Sequence, residues 1–159
     1  MFGRIQNIFL LFATISMSLM ALWPVATIVL VSSNIEYSLF TYKLVSNSEL
    51  IDYIYPALML NLMVIILPFA TIFLKVKSSK SIRPTLLLQL RFCIVSAVLE
   101  FGMLIMPILQ VYLLSAKMDA TWNLEYVYIF PVIAFILILL AVKGILKDIS
   151  TINSYDRIR

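Results

Sequence analysis

The sequence predicts an all-α membrane protein: a four-helix transmembrane bundle of up-down topology with both termini cytoplasmic. Three observations carry that reading. Of 159 residues, 63% are hydrophobic and 13% are charged, whereas a soluble domain has about 45–50% apolar and about 25% charged residues. A chain this short cannot bury so much apolar side chain in one core. Most of the charges flank four long apolar runs, each near the ~20 residues that a membrane-crossing helix needs. Finally, ten of the twelve basic residues fall on one side of those runs.

The first span is expected at about 8–31, because no charge occurs between Arg4 and Glu36. The run is longer than the ~7–15 apolar residues of a signal peptide and no A-x-A site follows it, so it reads as a permanent anchor. The second span, about 53–74, lies between Asp52 and Lys75. The third, about 86–115, is interrupted only by Arg91 and Glu100. The fourth, about 126–142, is bounded by Glu125 and Lys143 and leaves a cytoplasmic tail at 143–159. Soluble helices rarely stay apolar on every face for this length. The loop at about 32–52 alternates Tyr37, Phe40, Tyr42 and Leu44 with polar residues, as in a short hairpin or an interface-lying segment. The loop at about 116–125 is short, and Trp122, Tyr126 and Tyr128 read as an aromatic belt. Neither loop is long enough for a domain, so residues 1–159 form a single membrane domain. Pro24, Pro56, Pro68, Pro107 and Pro131 place a proline in every span, each inviting a kink. They are either ordinary membrane-helix prolines or a device that splays the helices into an outward pocket.

Orientation follows from the basic residues. Arg4, the group Lys75, Lys77, Lys80, Arg83 and Arg91, and the tail residues Lys143, Lys147, Arg157 and Arg159 share one side. Only Lys43 and Lys117 lie on the other, beside five acids. The positive-inside rule puts the basic side in the cytoplasm. This bias accounts for the net charge of +4 without a nucleic-acid partner.

The rare residues exclude further classes. No histidine is present, which removes the commonest metal ligand and general base. A lone Cys93 forms no intrachain disulfide or redox pair, and three glycines (Gly3, Gly102, Gly144) build no phosphate loop. No catalytic residue, cofactor or metal is expected.

Glu100 is the most informative side chain. It falls near the middle of the third span, where a carboxylate costs about 2.5–3.5 kcal/mol on insertion scales, so it is expected to face the bundle as the neutral acid. Gln89, Cys93, Ser96 and Glu100 share one helical face, while Arg91 lies opposite and snorkels to the surface. Asn61 on the second span, and Thr14 and Ser18 on the first, lie at depths that suit Glu100. The cluster reads either as a proton or cation site, or as interhelical glue in which Glu100 hydrogen-bonds Asn61, Thr14 or Ser18.

The chain ends form a second candidate. In an up-down bundle closed in sequence order, Arg4 and Gln6 come near Asp148 and Asp156, leaving Arg157 and Arg159 for anionic headgroups or a cytoplasmic partner. Ile145, Ile149, Ile152 and Tyr155 recur at helical spacing, so the tail is either a surface helix continuing the fourth span or a solvated segment.

At these ends the chain resembles a family of small bacterial membrane proteins grouped only as a domain of unknown function. Its members open with an Arg-Ile-Gln, here Arg4-Ile5-Gln6. They close with a Lys-Asp, a Ser and an Asp-Arg-x-Arg, here Lys147-Asp148, Ser154 and Asp156-Arg157-Ile158-Arg159. A basic hinge like Lys75–Lys80 separates their second and third helices. Ile149 departs from the pattern, which has an acid there. The resemblance implies four helices in a bacterial inner membrane and no activity. The expected function is non-enzymatic: an inner-membrane scaffold or accessory subunit packing against the lipid bilayer and other membrane subunits or itself. The alternative is a small transporter or ion-coupled channel centred on Glu100.

Overall fold

The computed structural model describes residues 3–30, 35–46, 49–74, 82–118 and 120–157. In chain order they form α1 (Gly3–Leu22), β1 (Ala26–Leu30), β2 (Glu36–Leu39), β3 (Lys43–Ser46), β4 (Glu49–Tyr53), α2 (Tyr55–Ile72), α3 (Ile82–Met118), β5 (Ala120–Leu124), a 3-10 turn (Tyr126–Tyr128) and α4 (Ile129–Arg157). Four helices are long and apolar enough to cross a membrane, over Ile5–Leu22, Tyr55–Ile72, Pro84–Lys117 and Tyr126–Ser154.

The helices pack α1 on α2, α2 on α3, α3 on α4 and α4 back on α1, so the bundle closes in chain order. Each buries one stripe at alternating spacings of three and four. The stripe is Gln6, Leu10, Ala13, Met17 and Met20 on α1, and Ala57, Asn61, Val64, Pro68 and Thr71 on α2. On α3 it is Leu86, Gln89, Cys93, Ser96, Glu100 and Met103, and on α4 Ala134, Ile138, Ala141 and Ile145. A 3.5-residue period is the seam of left-handed helix packing. Outward faces are equally apolar, with Phe12, Ile66, Val98 and Leu140 exposed. The stripe therefore differs from the outer faces by its small and polar residues, which let backbones approach.

Three expectations change. The fold is not all-α: β1 to β5 form a five-stranded antiparallel sheet ordered β4-β3-β2-β1-β5. The two inter-helix loops, expected to be too short for a domain, combine to make it. β5 from the second loop pairs with β1, which falls inside the expected first span, Ile28 opposite Trp122. The first span also ends early. Residues 8–31 are not one helix, since α1 stops at Leu22 and Ala26–Leu30 is a strand. Pro24 cannot continue a helix, and the β-branched run Thr27-Ile28-Val29 suits a pleated surface. Finally, α4 does not end near Val142 but continues unbroken to Arg157. Ile149 and Ile152 pack against the bundle core, so of the two readings of the tail, the helix that continues the fourth span holds over this part and the solvated segment does not.

Most of the prolines mark boundaries. Pro24 lies between α1 and β1, Pro56 in the first turn of α2 and Pro131 in the first turn of α4, positions that tolerate a missing N–H. Pro68 and Pro107 are inside helices.

At 37 residues α3 is the longest helix, about 55 Å at 1.5 Å per residue. Its last turns outrun α2 and carry the sheet: Val111 forms a second small core with Ala26, Leu39 and Leu44, with Leu114 packed on it. The molecule thus has a terminal end, where the first turns of α1 meet the last turns of α4, and a sheet end.

Candidate functional site

Glu100 sits in the α3 stripe with no solvent exposure, and Arg91 is exposed on the other side of the same helix. The depth of Asn61 against it follows from two contacts. Gln89 Nε2 donates to the Leu74 carbonyl at 2.7 Å, and a Cβ on Gly102 would lie 3.8 Å from Leu60 Cδ2. Between those points the chain covers 13 residues on α3 and 14 on α2, so the helices run antiparallel in step. Asn61 and Glu100 therefore lie within about one to two residues' rise, ~1.5–3 Å of depth.

The two groups share a layer but do not hydrogen-bond each other. Both carboxyl oxygens of Glu100 and Nδ2 of Asn61 are buried without a hydrogen-bond partner among the described residues. The other expected partners are engaged locally. Thr14 Oγ1 donates to Leu10 O at 2.7 Å and Ser18 Oγ to Thr14 O at 2.8 Å. Ser96 Oγ donates to Phe92 O at 2.9 Å. Ser18 is also exposed, rotated off the stripe. Gln89 is spent on the end of α2. The glue arrangement is therefore not formed: of the expected cluster, the core layer holds Glu100 and Asn61, with Ser96 buried a turn away on α3 and Thr14 buried on α1.

A shallow, open pocket of about 260 Å³ lies between α1, α2 and the β2–β3 turn beside Asn61, with no described residue of α3 in its wall. It is lined by Ala21 of α1, Leu58, Asn61, Leu62 and Ile65 of α2, and Tyr42 from the β2–β3 turn. Tyr42 went unnoticed as a site residue in the sequence because nothing there shows the loop folding back over α2.

At the terminal end, Gln6 Nε2 donates to Asp148 Oδ2 at 2.5 Å. Gln6 is buried although it is polar, and it lies against the backbone of α4 at Gly144, where a Cβ would come 3.0 Å from Gln6 Cγ. A cavity of about 420 Å³ between Ile5, Phe9, Lys147 and Thr151 flanks this clasp. The side chains of Arg4, Asp156, Arg157 and Arg159 lie outside the described residues. No group of three His, Cys, Asp or Glu side chains that would hold a metal ion occurs among the described residues.

A family model described as a domain of unknown function (DUF4293) matches residues 2–158, and the chain belongs to that family. No curated protein matches it.

Proposed function

From a family that lends no activity, we propose that this is a non-enzymatic scaffold or accessory subunit of a larger membrane complex, in the bacterial cytoplasmic membrane with both termini inside. The observation that supports this reading best is the free edge of the sheet. Among the described residues β5 pairs with β1 on one side only, and Thr121, Trp122, Asn123 and Leu124 are all exposed. The strand carries no charge, whereas the opposite edge strand, β4, contains Glu49 and Asp52. Charges on an edge strand deter pairing and their absence invites it. Seated on the end of α3, the edge is held at a fixed height above the bundle, as a docking strand requires. The one-sided basic residues support the orientation, which puts the sheet on the non-cytoplasmic face.

The test is co-purification of the full chain in mild detergent. A stoichiometric membrane partner that is released by Trp122→Lys or Asn123→Lys, with the bundle's thermal stability unchanged, is the expected outcome. A partner-free homo-oligomer that carries a Glu100-dependent ion flux would replace this reading with the small transporter or channel.

A further inference from the structure

Three polar atoms without partners in one layer of a membrane bundle call for an occupant. Buried polar groups are almost always satisfied, by protein or by ordered water, and here the acceptors of Glu100 and the amide of Asn61 face the same shortage. The donor set is too small for a metal ion, since one carboxyl and one amide fall well short of the ligands a hard cation takes. It suits a proton with water. A neutral carboxylic acid is both donor and acceptor, and a water between the two side chains would accept from Asn61 and exchange hydrogen bonds with Glu100.

The same layer has an open pocket at its edge. Asn61 lines the sheet-end cavity, whose other walls are apolar except for Tyr42, and lies at the depth of Glu100. No ionised side chain lines the cavity. We propose that Glu100 is a proton-binding site in the bundle core, exchanging its proton, together with a bridging water, by way of Asn61 and the open pocket that Asn61 lines at the sheet end. The proposal is independent of what docks on β5. The step is a plain acid–base exchange: the O–H bond on the Glu100 carboxyl breaks as water carries the proton outward, and forms again when water returns it.

Infrared difference spectroscopy on the full chain in lipid nanodiscs tests this. The expected result is a protonated-carboxyl C=O band at neutral pH that vanishes in Glu100→Gln. The band should shift in deuterated buffer long before the amides of α3 exchange. Ala21→Phe, which fills the cavity without altering either polar group, should slow that shift by about tenfold or more, because exchange then waits for local opening. Asn61→Leu should do the same, and Ala21→Phe keeps the question answerable if Asn61→Leu does not fold. Four results overturn the proposal: no Glu100-dependent band; a band that shifts no faster than the α3 amides; a shift unaffected by filling the cavity; or loss of the band on adding sodium at fixed pH, which would make the site a cation site.

Discussion

Adding one methyl group to either of two glycines should have opposite effects. Gly144 and Gly102 both lie in helices facing a neighbouring helix. Glycine in a helix costs about 1 kcal/mol relative to alanine, so Ala at either position starts with that gain. At Gly102 the new Cβ meets Leu60 Cδ2 at 3.8 Å, an ordinary contact, and the gain survives. At Gly144 it meets Gln6 Cγ at 3.0 Å, with Cδ and Nε2 of the same side chain at 3.7 and 3.5 Å. Gln6 is buried and tied to Asp148 by a 2.5 Å hydrogen bond, so moving its Cγ drags the amide off the carboxylate. A hydrogen bond to a charged group is worth about 1.5–3 kcal/mol. Gly102→Ala should therefore stabilise by about 0.5–1 kcal/mol, once packing takes part of the propensity gain. Gly144→Ala should destabilise by about 0.5–2 kcal/mol, the hydrogen bond less that gain.

The lone Cys93, buried in the core, makes the assay simple: a fluorogenic maleimide in detergent reacts only as the bundle opens. The cycle with Gln6→Ala isolates the mechanism. In that background the clash and the hydrogen bond are both gone, and Gly144→Ala should turn stabilising. If Gly144→Ala costs the same with and without Gln6, the clasp is not what makes Gly144 sensitive and the reasoning fails.

The remaining predictions use the same reporter or simple labelling. Glu100→Met should change stability by no more than about 1 kcal/mol, because it removes a buried carboxyl with no protein partner but leaves Asn61 and the bridging water short of one; a large gain would show that no water is held there. Ending the chain after Lys147 should leave a folded but weaker bundle, with the unfolding temperature lowered, since the Asp148 acceptor and the packing of Ile149 and Ile152 are lost; an unchanged temperature would contradict that packing. Cysteine introduced at Ser46 should react with an impermeant reagent from outside intact cells, and at Ser154 only after permeabilisation; the reverse pattern would invert the proposed orientation.

How far the sequence carried depended on which property encodes each feature. Charge placement encodes where helices cross, and the ends of the second and third runs fall within a few residues of α2 and α3. Chain parity encodes neighbours, and the structure does bring Gln6 to Asp148. The strand after α1 was hidden because a sandwiched strand and a membrane helix are both unbroken apolar runs, and only Pro24 and the β-branched residues separate them. Pairing of β1 with β5 joins residues about 94 apart, and no local pattern records such a distance. Side-chain partners were least legible. Ser18 follows Thr14 by four residues, but each lies one residue past a stripe position, Ala13 and Met17, and at about 100° per residue that offset leaves Thr14 at the edge of the stripe and turns Ser18 to the outside. Gln89 shares the face of Glu100 but reaches instead for Leu74 O, an unpaired carbonyl at the end of α2.

The two polar features inside the helices are handled in opposite ways, and the bilayer explains the difference. Where core and lipid are equally apolar, hydrophobicity cannot fix the rotation or depth of a helix, and polar contacts must do so. At the terminal end, Gln6 and Asp148 are paired and Gly144 lets the helices close over them, which locks α1 to α4 in one register. In mid-bundle, Glu100 and Asn61 are aligned but left unpaired. An unpaired acid and amide at one depth, with an open pocket on the Asn61 side, is an arrangement that suits an exchangeable occupant, and the clasp at the far end keeps the bundle in register while the occupant comes and goes.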